Sequence, residues 1–267
     1  MNTVRSKDGT AIAFDRSGSG PALILVGGAM SDRTTSAAVG SLLAPHFTVI
    51  SYDRRGRGGS GDTLPYSVDR EIDDLAALIA EGGGSAFVMG GSSGGILALE
   101  GAAHGLAIAK LAVYEPPLIV DEDGPRLPSG FAGHLADLAS SGRRGDAVEA
   151  FMTQALGMPA EAVAGMRGAP YWAGREAKAH TLAYDLIISG PVQAGNREPL
   201  SRWASVAAPT LVMDGGASPD WMHAGVRALA NVLPNATHRT LAGQTHSADP
   251  AILAAALDDY FAEVRVA

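Results

Sequence analysis

The 267-residue chain, 46% hydrophobic and 18% charged, is long enough for one large α/β domain with an inserted subdomain, and its composition excludes disorder. Its 28 acidic against 20 basic residues leave a formal charge of −8, which makes nucleic acid a poor partner. The absence of cysteine excludes disulfides, thiolate metal sites and a cysteine nucleophile together.

The segment from Met1 to Thr10 carries charge and a turn signal where a secretory peptide needs an apolar stretch. No later segment approaches a membrane span, so a cytoplasmic protein with no membrane partner is expected. Val4 leads into Lys7-Asp8-Gly9-Thr10, and residues 11–15 lead into Ser17-Gly18-Ser19-Gly20, which predicts a hairpin. Ala22-Leu23-Ile24-Leu25-Val26 is a continuous apolar run, as a strand buried on both faces requires, and residues 48–52 form another. Residues 37–44 and 68–79 have helical spacing, the second with Ile72, Leu75, Leu78 and Ile79 on one face. Alternation of strand and helix implies a parallel sheet with helices on both sides.

Short apolar runs at 86–89, 111–114, 210–213 and 237–241 predict further central strands. From about residue 121 to 203 the strand pattern gives way to alanine-rich helical stretches broken at Pro128, Pro159, Pro170 and Pro191. A helical insertion over 119–205 is therefore expected, dividing a core domain formed by 1–118 and 206–267. Residues 250–264 predict an amphipathic helix with Ile252, Leu253, Leu257, Tyr260 and Phe261 as its buried stripe.

Met89-Gly90-Gly91-Ser92-Ser93-Gly94-Gly95 follows a predicted strand and precedes the helical run 96–103. A serine at such a corner sits on a sharply bent backbone, and Gly90 and Gly94 keep neighbouring chain away from it. The glycines also fit a register centred on Ser93. Counting from the strand favours Ser92 at the corner, with the Ser93 amide facing a developing oxyanion and the Ser93 hydroxyl idle. A phosphate cradle is disfavoured because no lysine follows the glycines. His246 lies after the last predicted strand and before the C-terminal helix, so the order is serine first and histidine last. Other histidines, such as His46, His104 and His238, read as surface or packing residues.

Taken with residues 25–29 and the run Asp53-Arg54-Arg55-Gly56-Arg57-Gly58-Gly59-Ser60, these features resemble the α/β-hydrolase superfamily over essentially the whole chain. The first stretch resembles the oxyanion strand and loop, and the second the family's Asp-x-Arg-Gly-x-Gly-x-Ser turn, read here as structural. The resemblance implies an α/β-hydrolase fold: a mostly parallel central sheet flanked by helices, with an inserted helical cap. It also implies Ser92 as nucleophile, His246 as general base, and an oxyanion hole from the amides of Ala29 and Ser93. Two departures stand out. Gly27-Gly28 replaces the common His-Gly, and Gly215 is followed by Gly216-Ala217-Ser218 where the family commonly places its aspartate three residues on. Three carboxylates could substitute. Glu115, at the end of the strand after the nucleophile, resembles the position from which some lipases supply their acid and is preferred. Asp214 ends the next strand and stays open, and Asp220 begins a helix.

The expected chemistry is cleavage of an ester-like or thioester bond of a small molecule through an acyl-enzyme, without cofactor or metal. Trp172, Tyr171, Phe151, Met152 and Met158 are candidates for an apolar acyl pocket, with His180 and Tyr184 at helical spacing beside them. Two alternatives stay open. The same triad could run carbon–carbon or other non-hydrolytic chemistry, or the missing aspartate could mark a non-catalytic binding protein on this scaffold. Oligomeric state is not addressed by the sequence.

Overall fold

The eight strands are β1 (Asn2–Arg5), β2 (Ala11–Ser17), β3 (Ala22–Val26), β4 (Thr48–Tyr52), β5 (Ala86–Gly91), β6 (Ile108–Tyr114), β7 (Thr210–Gly215) and β8 (Ala236–Leu241). They form one sheet in the order β1-β2-β4-β3-β5-β6-β7-β8 in this computed structural model, which describes residues 1–122, 124–193 and 195–262. The β1–β2 hairpin and its pairing with β4 are antiparallel, and every pairing from β4 to β8 is parallel. β3 and β7 are buried at every position, which explains their unbroken apolar runs. One face is covered by α1 (Ala37–Leu43) and α10 (Pro250–Ala262), where Phe47, Phe87 and Phe261 pack together. The other carries α2 (Val68–Glu81), α3 (Ser93–Ala103) and α9 (Asp220–Val232) over Leu75, Ile96, Leu97 and Leu229.

Three expectations are corrected. β8 is an edge strand, not a central one: among the described residues it pairs only with β7, and of its own residues only Leu241 is buried. β6 begins earlier than its apolar run suggests, because buried Lys110 interrupts the pattern while its Nζ donates to the Tyr260 carbonyl at 2.8 Å. In α10 Ile252 is exposed, since the row through Leu257 and Phe261 faces the sheet and Ile252 lies about 100° away from Leu253 around the helix. Val264, the predicted end of that helix, lies outside the described residues. No helix among the described residues is long and apolar enough to cross a membrane.

Between β6 and β7 the described elements are all helical: α4 (Phe131–Ser140), α5 (Arg144–Ala150), a π-helical turn Phe151–Ala155, α6 (Ala160–Met166), α7 (Trp172–Glu176), α8 (Leu182–Ser189) and short 3-10 turns. They share a core of Phe131, Leu135, Val148, Trp172 and Leu182, against which Ala29 and Met30 pack. That contact sets the helical segment over the carboxyl ends of the strands, the edge at which α/β sheets bind ligands.

The arginine cluster after β4 is buried. Arg54 forks onto Glu71 of α2 at 2.7 and 2.6 Å, and Arg55 forks onto Asp74 at 2.8 and 2.7 Å. Asp53 accepts the amides of Arg33 and Gly59, each at 2.7 Å. Gly58, at φ +51°, would put a Cβ 2.2 Å from the Asp53 carboxylate, so only glycine closes this turn. Arg55 also pairs with Asp8 at 3.1 Å, so Asp74→Ala removes a buried fork without stranding the guanidinium and is expected to cost about 1.5–3 kcal/mol in urea unfolding. Asp69→Ala, on the same helix but exposed, is expected to change the urea midpoint little.

Candidate active site

Ser92 joins β5 to α3 with φ 54° and ψ −130°, a conformation that costs a side-chain-bearing residue about 1–3 kcal/mol. Surrounding close packing enforces it. A Cβ on Gly90 would lie 2.4 Å from the Gly94 carbonyl oxygen, and one on Gly94 would lie 2.3 Å from that of Val26. The Ser92 amide is pinned to the Tyr114 carbonyl at 2.9 Å. The corner thus belongs to Ser92, and Ser93 is the first residue of α3. The Ser93 hydroxyl is not idle, however: it donates to Asp185 at 2.7 Å in a buried site.

Glu115 follows β6 directly, is fully buried and also has positive φ, 46°. Its Oε1 accepts the Gly215 amide at 2.7 Å, and its Oε2 meets His246 Nδ1 at 2.8 Å. Burial pushes the Glu115 carboxyl up, but hydrogen bonds to His246 and the Gly215 amide outweigh it and hold the group below its ordinary value. With the carboxylate ionised, Nδ1–H is the donor, leaving Nε2 as an acceptor. The loop bearing His246 is held on both flanks. Tyr114 donates to the Thr245 carbonyl at 2.5 Å, and the Ala217 amide to that of Gln244 at 2.8 Å. A Cβ on Gly215 would sit 2.4 Å from the Gln244 oxygen, so this glycine lets the two loops touch.

Asp214 is also buried but serves other partners, His223 Nδ1 at 2.7 Å and His238 Nε2 at 3.2 Å. Burial raises its carboxyl, and hydrogen bonds to His223, Thr240 and His238 bring the net value down. The geometry therefore couples His246 to Glu115 and engages Asp214 elsewhere. Asp220 is exposed at the start of α9, and buried Ser218 occupies the position where the family commonly has aspartate.

Ser92, Ser93, Ala29, Glu115 and His246 line one cavity of about 330 Å³. Among the described residues, neither the Ala29 nor the Ser93 amide donates to another backbone group. The apolar wall comes from Phe151, Leu156, Leu186, Trp221 and Met222. Trp172, Tyr171 and His180 are not part of it. Trp172 packs inside the helical segment with Nε1 on Glu176 at 2.8 Å, because that small core needs a large aromatic group. Tyr171, next in sequence, consequently faces out beneath the Arg175 guanidinium. His180 stands beside Asp62 and edge-on to Tyr184. Trp221 and Met222 escaped sequence reasoning. Their position in the first turn of the helix after β7, at the ligand-binding edge, was the available signal.

A model of the alpha/beta hydrolase family matches residues 23–256. The crystal structure of an alpha/beta hydrolase from Sphaerobacter thermophilus is 53% identical, with a TM-score of 0.91 over 97% of this chain and 100% of that one. N-formylmaleamate deformylase from Pseudomonas putida is 34% identical over 141 residues, 50% of this chain and 52% of that protein. The uncharacterized hydrolase YraK of Bacillus subtilis is 35% identical over 96 residues, 34% of this chain and 35% of that protein. The matched stretches thus span about half or less of these two curated relatives. The chain belongs to the alpha/beta hydrolase family and is an enzyme.

The lowered Glu115 carboxyl sets a pH signature. Its stabilisation is fully present above the ordinary value of 4.5 and is lost as pH falls through the lower folded value. Urea titrations from about pH 7 to about pH 3.5 are expected to show wild type more stable than Glu115→Gln at neutral pH, with the gap closing in acid.

Proposed function

We propose that this enzyme is a serine hydrolase that cleaves an ester or thioester of a small, uncharged acyl group through an acyl-enzyme on Ser92. Ser92 Oγ attacks the carbonyl while His246 Nε2 takes its proton, and Glu115 fixes the tautomer and stabilises the imidazolium. The amides of Ala29 and Ser93 receive the oxyanion. His246 then protonates the leaving group and activates the water that releases the acid. The helical segment 119–205 acts as a cap over the cavity. The observation that carries this reading is the 2.8 Å His246–Glu115 contact beside a serine on a strained corner, all on one cavity. The partial similarity to a deformylase, named for removing a formyl group, supports acyl chemistry.

The uncharged acyl group follows from the lining. No lysine or arginine lines the cavity among the described residues, and the carboxylates of Glu115 and Asp185 at its back are buried and already paired. A substrate carboxylate would be desolvated there with no cation to meet it. A cavity of about 330 Å³ lies at the small end of small-molecule pockets, which suits a compact acyl group.

A fluorophosphonate probe is expected to label wild type but not Ser92→Ala, and an unlabelled wild type would refute the mechanism. With p-nitrophenyl butyrate, Glu115→Gln is expected to lose about ten-thousandfold in turnover, the cost of a wrong tautomer in a known triad, while Asp214→Asn stays within about tenfold. Reversal of that order would transfer the acid role to Asp214. For the acyl class, kcat/KM for the butyrate is expected to exceed that for the p-nitrophenyl hemisuccinate by at least about tenfold. Equal or faster cleavage of the hemisuccinate would remove the charge argument.

A further inference from the structure

Behind the cavity one carboxylate reaches both sides of the oxyanion hole. Asp185 of α8 is 2% exposed, and its Oδ1 accepts from the Ser93 hydroxyl at 2.7 Å and from Arg54 Nη1 at 2.8 Å. Its Oδ2 accepts from Arg57 Nη2 at 2.8 Å. The other prong of that guanidinium, Nη1, donates to the Gly28 carbonyl at 2.6 Å. That carbonyl, which also accepts from the Ser31 hydroxyl at 2.5 Å, shares its peptide plane with the Ala29 N–H, so the charge-assisted bond from Arg57 helps to orient the amide and strengthens it as a donor. The plane lies against the nucleophile, since a Cβ on Gly28 would fall 2.8 Å from Ser92 Cβ.

The turn does not require this arrangement. Arg54 and Arg57 occupy the two variable positions flanking Arg55-Gly56 in the Asp-x-Arg-Gly-x-Gly-x-Ser pattern, and the turn is closed by Asp53 and Gly58. Nor is stability a sufficient reason, because a buried ion pair is commonly no better than apolar packing of the same volume. Arg57 even leaves its buried Nε without a partner, so its pose satisfies Gly28 and Asp185 ahead of its own hydrogen bonding. α8 is also fastened at a neighbouring point, where Tyr184 donates to Asp62 at 2.8 Å and stacks on Tyr66 at 4.0 Å.

We propose that Asp185 is a positioning residue by which the helical segment sets the oxyanion hole, through Arg57 and the Gly28–Ala29 peptide on one side and through the Ser93 hydroxyl on the other. The proposal rests on the serine-hydrolase reading above. It makes catalytic competence depend on correct docking of α8, without Asp185 touching the reacting atoms.

The test uses Asp185→Asn, Arg57→Lys and Ser93→Ala in the full chain, with p-nitrophenyl butyrate and kcat expressed per site titrated by the fluorophosphonate. Arg57→Lys keeps the charge but cannot hold Gly28 and Asp185 together, and Ser93→Ala keeps the amide. Loss of a whole oxyanion donor costs about a hundred- to thousandfold, so a misplaced one is expected to cost about 10–100-fold in kcat for Arg57→Lys and about 3–10-fold for Ser93→Ala. KM stays within about twofold, and affinity for a phenylboronate, which forms a tetrahedral adduct, falls in parallel with kcat. A purely structural network would lower the titratable fraction while leaving kcat per site and boronate affinity unchanged, and that result overturns the proposal. If Asp185→Asn fails to fold, the two milder variants decide. Unlabelled wild type overturns the serine-hydrolase reading and this proposal with it, whereas labelled wild type with unaltered variants overturns this proposal alone.

Discussion

The hydrogen bond between His246 and the buried carboxylate of Glu115 joins segments 131 residues apart, and the architecture at the carboxyl edge of the sheet is organised around it. For the bond to form, β6 must end beside β7, the loop after β8 must fold back across Gly215, and Glu115 must take a positive φ. Each condition is met by a specific contact: the Gly215 amide on Oε1, Tyr114 on the Thr245 carbonyl, and the Glu115 amide on the Met213 carbonyl. A carboxylate buried so completely is tolerable only because its oxygens are satisfied, and that satisfaction keeps it ionised.

The same edge holds three backbone conformations that L-residues rarely adopt among the described residues, at Met30, Ser92 and Glu115, just after β3, β5 and β6. Strain of this kind persists only where packing over-determines it. Here the close approaches at Gly90, Gly94 and Gly215 leave no room for a relaxed alternative. Rigidity at the corner and at the histidine loop gives a preorganised site, which contributes more to catalysis than side chains that must move into place.

Beneath it, the buried charges of Arg54, Arg57, Glu71 and Asp185 balance, two positive against two negative. Such a cluster adds little net field to the cavity but fixes directions, since forked guanidinium groups tolerate few geometries. It also makes the helical segment and the sheet edge one unit at α8.

Local chemistry determined much of this. Continuous apolar runs gave the buried strands, glycines flanking a strand-to-helix serine gave the corner at Ser92, and chain order singled out His246, because these features follow from periodicity and backbone sterics within a few residues. Composition could not reveal that Arg54, Arg55 and Arg57 are buried, since their partners lie as far away as Asp185. Which acid meets His246 was likewise open in the sequence: Glu115 and Asp214 both end strands, and only the three-dimensional course of the loop after β8 brings the imidazole to one while His223 and His238 take the other. The cavity wall was legible only at Phe151, because an aromatic residue in the helical segment could serve its own core or the site. Tertiary packing assigned Trp172 to the former and brought Leu186 of α8 and Trp221 of α9 to the latter.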